Sequence, residues 1–219
     1  MATDMNILAQ VRDNTSVDDA PQGTLKIPMI NNRRELLVAQ GLPERTELVR
    51  QGASWVFVHS TATAAVTALP TTTAVLTIFN NEASTGKVYI VDAVGAVVTV
   101  ASAAAGGMTI AGLLNKGATT IPNSVATSAV VSTLSGRTYG GNAKFKTAHT
   151  VTDDGWWPIG GEGSGAANTT LGSSVMFPVN GAIIIPPAGM FSLVMVGVNT
   201  TLVGKLVLMW HEVQIPYSY

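Results

Sequence analysis

Short β-type segments fill the chain from Trp55 onward and limit its fold more than any other feature. Val, Ile, Thr, Phe and Tyr cluster in short runs, and Gly, Asn, Pro and Ser separate them. Such spacing is typical of an antiparallel sandwich or barrel. No segment of ordinary helical length follows Gly52. We expect strands near 54–60, 74–80, 86–92, 96–102, 107–112, 127–133, 142–149, 174–178, 182–185, 190–198 and 202–214.

Charge is concentrated at the N-terminal end of the chain. Thirteen of the twenty-five Asp, Glu, Lys and Arg residues lie in the first fifty positions, and none occurs between Glu162 and Lys205. Soluble domains take about a quarter of their residues from this set. We therefore expect copies of the chain or a larger scaffold to cover much of the body. The net charge of −1 predicts neither nucleic acid nor a membrane as a partner.

Residues 1–52 form the first predicted unit, an extended N-terminal arm followed by two short helices. The residues before Asn32 are polar, mixed in charge and without periodicity, which is typical of an arm. Asn32 and Gly41 bound the first predicted helix as N-cap and C-terminal glycine. Pro43, placed to open a helix, and Gly52, behind the last turn, bound the second predicted helix. Helices this short are marginal alone, so we expect them to dock on another surface.

Four arginines in this unit are candidate interface residues: Arg33, Arg34, Arg45 and Arg50. Glutamates are interleaved with them along the chain. A patch of mixed sign fits ion pairs between subunits, or between arm and body, better than nucleic-acid binding. The sequence therefore predicts a protein interface here.

Residues 53–219 form the second predicted unit, an antiparallel β-sandwich domain. Both alternate sets of side chains in 190–198 and in 202–214 are mainly apolar. A sheet with one face in water alternates apolar and polar residues. The arm or a neighbouring subunit is therefore expected to cover the outer face of these strands, with a closed barrel as the alternative. His211 and Glu212 project to opposite faces, at an edge or interface position. Three further candidate interface residues lie on these strands: Met195, Met209 and Trp210.

Chemically useful side chains are scarce in the body. The densest group is His149, Asp153, Asp154 and Glu162, which are residue types that can hold a metal ion. Adjacent aspartates followed by Gly155 are common in solvated turns, so a plain loop is favoured and no metal or cofactor is predicted. The chain has neither a nucleophile-elbow motif nor a phosphate-binding loop. No catalytic residue and no enzymatic activity are predicted.

Trp156 and Trp157 are predicted to lie in a loop that continues into the glycine-rich stretch 160–165. Adjacent residues on an extended segment point to opposite sides. One indole can therefore fill the core while the other contacts a ligand or partner. Three interpretations stay open: two buried loop anchors, a protein interface, or a surface on which a sugar ring stacks.

Several stretches resemble small virion proteins of tailed bacteriophages. They are ALPTTTAVLTIFN (68–80), KVYIVDAVGAV (87–97), LSGRTYGG (134–141), VTDDGWWPIG (151–160), and GAIIIPPAGMFSLVMVG with WHEVQIP within 181–216. An Ile-rich strand, a Pro-Pro-x-Gly turn and another apolar strand are similar to the late hairpin of trimeric jelly-roll proteins. The family includes proteins that decorate or cement a capsid and proteins that form fibres or spikes.

The resemblance implies an all-β, jelly-roll-like sandwich behind the arm, without catalytic or cofactor-binding residues. It implies a structural virion protein, assembled in the host cytoplasm, that stabilises the particle as a homo-oligomer beside other capsid or virion proteins. A trimer is the expected oligomer. The alternative is a receptor- or glycan-binding module of a tail fibre or spike.

Overall fold

The computed structural model describes residues 44–102, 104–115, 130–134, 137–151, 155–162 and 174–214. The chain separates into one unit that ends at Glu47 and another from Leu48 to Tyr219. The described residues belong almost wholly to the second unit. The predicted arm and the first predicted helix lie outside them, and the domain boundary predicted after residue 52 stays a prediction.

The second predicted helix is present as α1 (Glu44–Arg50). The chain leaves it through Gly52, whose φ of 67° lies in the left-handed region. The Gly52 amide donates a hydrogen bond of 2.8 Å to the carbonyl oxygen of Val49. Glycine adopts this conformation without a steric penalty, and this explains why the helix ends here. Within the described ranges, no helix has the length and apolar character needed to cross a membrane.

The described residues form eleven strands in two antiparallel sheets. They are β1 (Ser54–Val58), β2 (Thr63–Ala64), β3 (Thr73–Asn80), β4 (Val88–Val100), β5 (Met108–Asn115), β6 (Val130–Ser132), β7 (Ala143–Thr150), β8 (Trp157–Glu162), β9 (Ser174–Ile185), β10 (Met190–Gly197) and β11 (Val203–Val213). The first sheet has the order β6-β1-β11-β4-β9, with β2 also paired to β11. The second has the order β7-β3-β10-β5-β8. The predicted all-β antiparallel sandwich is confirmed.

Four predicted strands form two longer ones: 86–92 with 96–102 in β4, and 174–178 with 182–185 in β9. The prediction of separate strands was wrong at both places. Asp92 interrupts the pairing register of β4 between Val91 and Ala93. In β9, Asn180 and Gly181 have φ angles of 52° and 78°. A bulge leaves residues unpaired without reversing the chain, so the strand continues.

The loop predicted from Trp157 to Glu162 is also wrong, because these residues form β8. Pro158 lacks an amide hydrogen, and glycine follows it at positions 160 and 161. β8 is an edge strand whose one strand neighbour in the sheet is β5, and proline is tolerated at a sheet edge. The residue types that predicted a loop therefore fit a strand at this place.

The core lies between the two sheets and is rich in aromatic rings. Phe57 on β1 stacks on Phe145 on β7, with ring centroids 4.0 Å apart and ring planes 4° apart. Both side chains are fully buried. Trp210 on β11 lies 5.6 Å from the ring of Phe145. This contact joins the first sheet to the second.

β10 is buried on both faces, as predicted. Phe191 and Leu193 belong to the core between the sheets, whereas Met190 and Val194 belong to the alternate set and are equally buried. On β11 the outward set is less covered, since Val207 is buried but Met209 is half-buried. Double coverage is thus confirmed for β10 and only partial for β11.

The strand register defines the outer face of the first sheet. Register partners on neighbouring strands form rows across this face. One central row contains Val131, Val56, Met209, Ala93 and Pro178, and the other contains Val58, Val207, Gly95 and Met176. Its two end rows contain Ser54, His211, Ile90 and Ile184, and Lys205, Val97 and Ser174. The central rows are wholly apolar, and the polar residues of this face lie in the end rows.

Candidate functional site

Trp156 anchors the segment that leads into β8. Its side chain packs against a small apolar cluster of Ala74, Leu113 and Val151. The indole Nε1–H donates a hydrogen bond of 2.9 Å to the carbonyl oxygen of Pro70. The side chain is half-buried. Trp156 therefore holds the start of β8 against the strands that carry Ala74 and Leu113.

Trp157 is the first residue of β8 and contacts a different part of the protein. It packs against the main core, and its ring lies 6.2 Å from that of Phe191. Its side chain is also half-buried. The two adjacent indoles thus contact different apolar clusters, as expected for neighbours on an extended segment. Both act as anchors, and part of each remains accessible.

A cleft of about 350 Å³ opens beside Trp157, between the edge strands of the two sheets. Pro158 and Ile159 line it from β8, and Pro178 and Ile183 line it from β9. Every side chain in the lining is apolar. Backbone groups supply most of the polar surface of the lining. The cleft therefore offers an apolar, partly aromatic surface to a ligand or partner.

The Trp156→Phe variant is expected to lose about 1 kcal/mol more stability than Trp157→Phe. Each change removes similar ring atoms from a half-buried site, but the change at Trp156 also leaves the carbonyl of Pro70 without its indole donor. Urea unfolding followed by circular dichroism gives both free energies of unfolding. Equal losses in the two variants would show that the indole hydrogen bond contributes nothing measurable.

A chain of polar contacts crosses the end of the sandwich at Glu212. This residue lies on the core-facing side of β11 and is 5% exposed. Its carboxylate accepts a hydrogen bond of 2.8 Å from the Tyr139 hydroxyl and lies 3.4 Å from the Lys87 ammonium group. The Tyr139 hydroxyl in turn accepts a hydrogen bond of 2.8 Å from the Ala143 amide. A buried carboxylate needs such partners to offset the loss of its hydration.

Tyr139 is a protonated donor in this chain of contacts. Burial raises its pKa above the ordinary value, and the neighbouring Tyr89 and Glu212 raise it further. Burial, followed by the charge of Glu212, raises the pKa of Tyr89 in the same direction. Both hydroxyls therefore keep their protons well beyond neutral pH. The contacts of Glu212 and Tyr139 link β11 to the start of β7 and to the residue before β4, and so stabilise the fold.

The residues considered for a metal site are described only in part. His149 is buried on β7 and Glu162 is exposed at the end of β8, whereas Asp153 and Asp154 lie outside the described residues. Burial lowers the pKa of His149, and the charge of Lys146 adds to this. In the ranges that the structure describes, no three His, Asp or Glu side chains are close enough to hold a metal ion.

The structure places the predicted interface residues in different environments. Arg45 and Arg50 are exposed on α1. Met209 is half-buried in a central row of the outer face of the first sheet. Arg33 and Arg34 lie outside the described residues. Met209 is thus the predicted residue that lies on an apolar surface.

Met195 and Trp210 require a correction. They are 1% and 0% exposed and belong to the core between the sheets. Side chains in this position cannot reach a partner. Because both alternate sets on their strands are apolar, the sequence pattern did not distinguish the inner set from the outer one.

For His211 and Glu212 the sequence predicted an edge or interface position, and the edge is wrong. β11 lies in the middle of its sheet, so neither residue lies at an edge, whereas an interface position stays a prediction for His211. Glu212 faces the core, whereas His211 Nδ1 lies 3.0 Å from both carboxylate oxygens of Asp92. Sequence reasoning missed the contact between Glu212 and Tyr139. The one sequence feature that could have indicated this contact is the carboxylate of Glu212 within an apolar strand.

Comparisons of the chain with protein-family models, with curated proteins and with solved structures find no match.

Proposed function

We propose that this chain is a structural virion protein, a capsid decoration, cement or minor capsid protein that stabilises a particle by non-covalent packing of copies. The order in which its strands pair is the observation that carries the proposal. A small, charge-poor β body with apolar outer surfaces fits this role. In a particle, neighbouring subunits would cover the surface that has few charged residues.

Eight of the strands pair in a nested order. Taken along the chain they are β1, β3, β4, β5, β8, β9, β10 and β11. The first pairs with the last, the second with the seventh, the third with the sixth and the fourth with the fifth. These pairs alternate between the two sheets. Nested pairing over two sheets is the pattern of a jelly roll, an architecture of viral capsid domains and of lectins.

Apolar surface supports the packing mechanism. Val97, Val131, Met176 and Ile184 are 37%, 59%, 43% and 42% exposed on the outer face of the first sheet. Covering apolar surface stabilises an assembly by about 25 cal/mol per Å². The same gain recurs at every symmetry-related contact of a closed oligomer. Repeated burial of this kind reinforces a particle without covalent links.

Mass spectrometry and electron microscopy of phage particles from the source of this sequence test the proposed role. Density-gradient-purified particles are expected to contain the chain in many copies, and an antibody against it is expected to label the capsid surface. Complete absence of the chain from purified particles would contradict the proposal. Labelling confined to the tail tip would replace the capsid role with the fibre role.

A glycan-binding module is the second candidate, and the exposed part of Trp157 beside the open cleft is the observation that favours it. Aromatic rings offer a flat surface to a sugar ring. A glycan array probed with the wild-type chain and with Trp157→Ala distinguishes the two roles. A signal that the variant loses, with its oligomeric state unchanged, would support the module. An array without signal leaves the capsid role as the better explanation.

A further inference from the structure

The outer face of the first sheet has the layout of a protein interface. Its centre is apolar, and its polar residues lie at the two ends of the strands, with Ser54 and His211 at one end and Lys205 and Ser174 at the other. Specific interfaces commonly have an apolar centre and a polar rim. A sheet face that meets only water instead carries polar side chains along its strands.

Gly95 and Met176 flatten the middle of this face. They are register partners on β4 and β9. A Cβ atom at position 95 would overlap the Met176 sulfur, so the methionine side chain lies directly over the glycine. Flexible methionine side chains adapt to the surface they meet. The centre of the face therefore offers a smooth, adaptable apolar surface.

We infer that this face binds the same face of a second copy of the chain. The two copies are related by a two-fold axis that lies between the two sheets, parallel to their planes and perpendicular to the strands. The five strands β6, β1, β11, β4 and β9 have 3, 5, 11, 13 and 12 residues. At about 3.4 Å per residue and about 4.8 Å between strands they cover on the order of 700 Å². One partner of a stable interface contributes about 800 Å². The face is thus large enough for a dimer without help from another surface.

Charge complementarity sets the orientation of the two copies. Lys205 lies at one end of β11 on this face, and the pair of Asp92 and His211 lies at the other. An axis perpendicular to the strands reverses their direction in the second copy. Lys205 of each copy then lies over the Asp92 end of the other. An axis along the strands would instead place the two Lys205 ammonium groups together.

The contact uses the same face on both copies, so it joins copies in pairs. The trimer expected from the sequence would have to use other surfaces. This inference is independent of the particle role, because a dimer can form whether or not the protein joins a virion. The particle role is tested separately, by the presence of the chain in purified particles, so failure of one proposal can be distinguished from failure of the other.

Sedimentation velocity of the full chain over about 1–100 µM tests the interface. Wild type is expected to form a dimer, and Met176→Lys and Ile184→Lys to weaken it at least about tenfold, because each buries a charge at the contact. Both positions are exposed in one copy, so the fold should tolerate lysine there. Leu69→Lys is the control, since Leu69 is 47% exposed and lies outside this face.

Three results would overturn the inference. Wild type could stay monomeric at every concentration, the control could weaken association as much as Met176→Lys, or Met176→Lys could disperse a trimer. A monomer whose Met176→Lys variant unfolds more easily would show that another part of the same chain covers the face. Circular dichroism of each variant confirms that it is folded.

Lys205→Gln tests the orientation. In the inferred dimer it removes an attraction to the Asp92 end and is expected to weaken association about threefold or more at low salt, with a smaller effect at high salt. If the axis ran along the strands, the same change would relieve repulsion and strengthen association, which would overturn the inferred orientation. Lys144→Gln on β7 is the matched control and is expected to leave the dimer unchanged.

Discussion

Replacing Phe57 with alanine is expected to lower the free energy of unfolding by about 3–5 kcal/mol. Phe57 is fully buried and stacks on Phe145 across the two sheets. The change removes a large apolar side chain and leaves a cavity at the contact that joins them. Urea unfolding followed by circular dichroism measures the loss.

Leu69→Ala is the control for this experiment. Leu69 is 47% exposed and lies outside the inferred dimer face, and its truncation is expected to change stability by less than about 0.5 kcal/mol. A double-mutant cycle of Phe57→Leu and Phe145→Leu is expected to give a coupling of about 0.5–1.5 kcal/mol for the stacked rings. Strict additivity of the two changes would show that the rings contribute only through separate burial.

Replacing Tyr139 with phenylalanine is expected to cost about 2–4 kcal/mol. The change keeps the ring, which lies edge-on to Trp55 at 4.8 Å, but removes the hydroxyl. The Glu212 carboxylate then loses its closest donor and the Ala143 amide loses its acceptor. Buried groups left without partners keep the full cost of their lost hydration. Chemical denaturation at pH 7 measures this effect.

The same variant is expected to change how stability depends on alkaline pH. Tyr139 and Tyr89 have pKa values raised above the ordinary 10.0, so the folded state holds these protons more tightly than the unfolded state. Their contribution is fully present below about pH 10 and decreases as pH rises above it. The expected slope is about 1.4 kcal/mol per pH unit for each tyrosine.

Denaturation curves between pH 7 and 12 measure these slopes. Tyr139→Phe and Tyr89→Phe are each expected to decline less steeply than wild type above pH 10, because one titrating group is gone. Leu69→Ala serves again as the control and is expected to keep the wild-type slope. Identical slopes in all four proteins would show that neither hydroxyl is held protonated by the fold.

Much of the strand pattern was predictable from residue types. Nine of the described strands overlap predicted ranges, seven of them with one range each and β4 and β9 with two ranges each. The helix that ends before Gly52 was predicted from its caps. These features depend on neighbours in the chain. Where the prediction was wrong, at Asp92 and at Asn180 with Gly181, a bulge replaced a turn. The strand continues through a bulge because it pairs with a partner strand on both sides of it, and that partner is distant in sequence.

The candidate site was less predictable. The sequence singled out the two adjacent tryptophans and correctly gave them different surroundings. It could not show that Pro70 and Phe191 are the residues they contact, because these contacts join distant parts of the chain. Nor did it reveal the contact of Tyr139 with Glu212, which lies between strands far apart in sequence.

The sequence by itself determined that the body is an antiparallel β protein, that it has few charges, and that β10 is covered twice. Local residue preference and side-chain alternation decide these properties. Tertiary structure alone decided which apolar set of β10 and which of β11 faces the core between the sheets. It thereby placed Met195 of β10 and Trp210 of β11 inside and left Met209 on the outer face. Alternation identifies two faces but assigns neither to the core when both are apolar, because that choice depends on which strands pair and which sheet lies opposite.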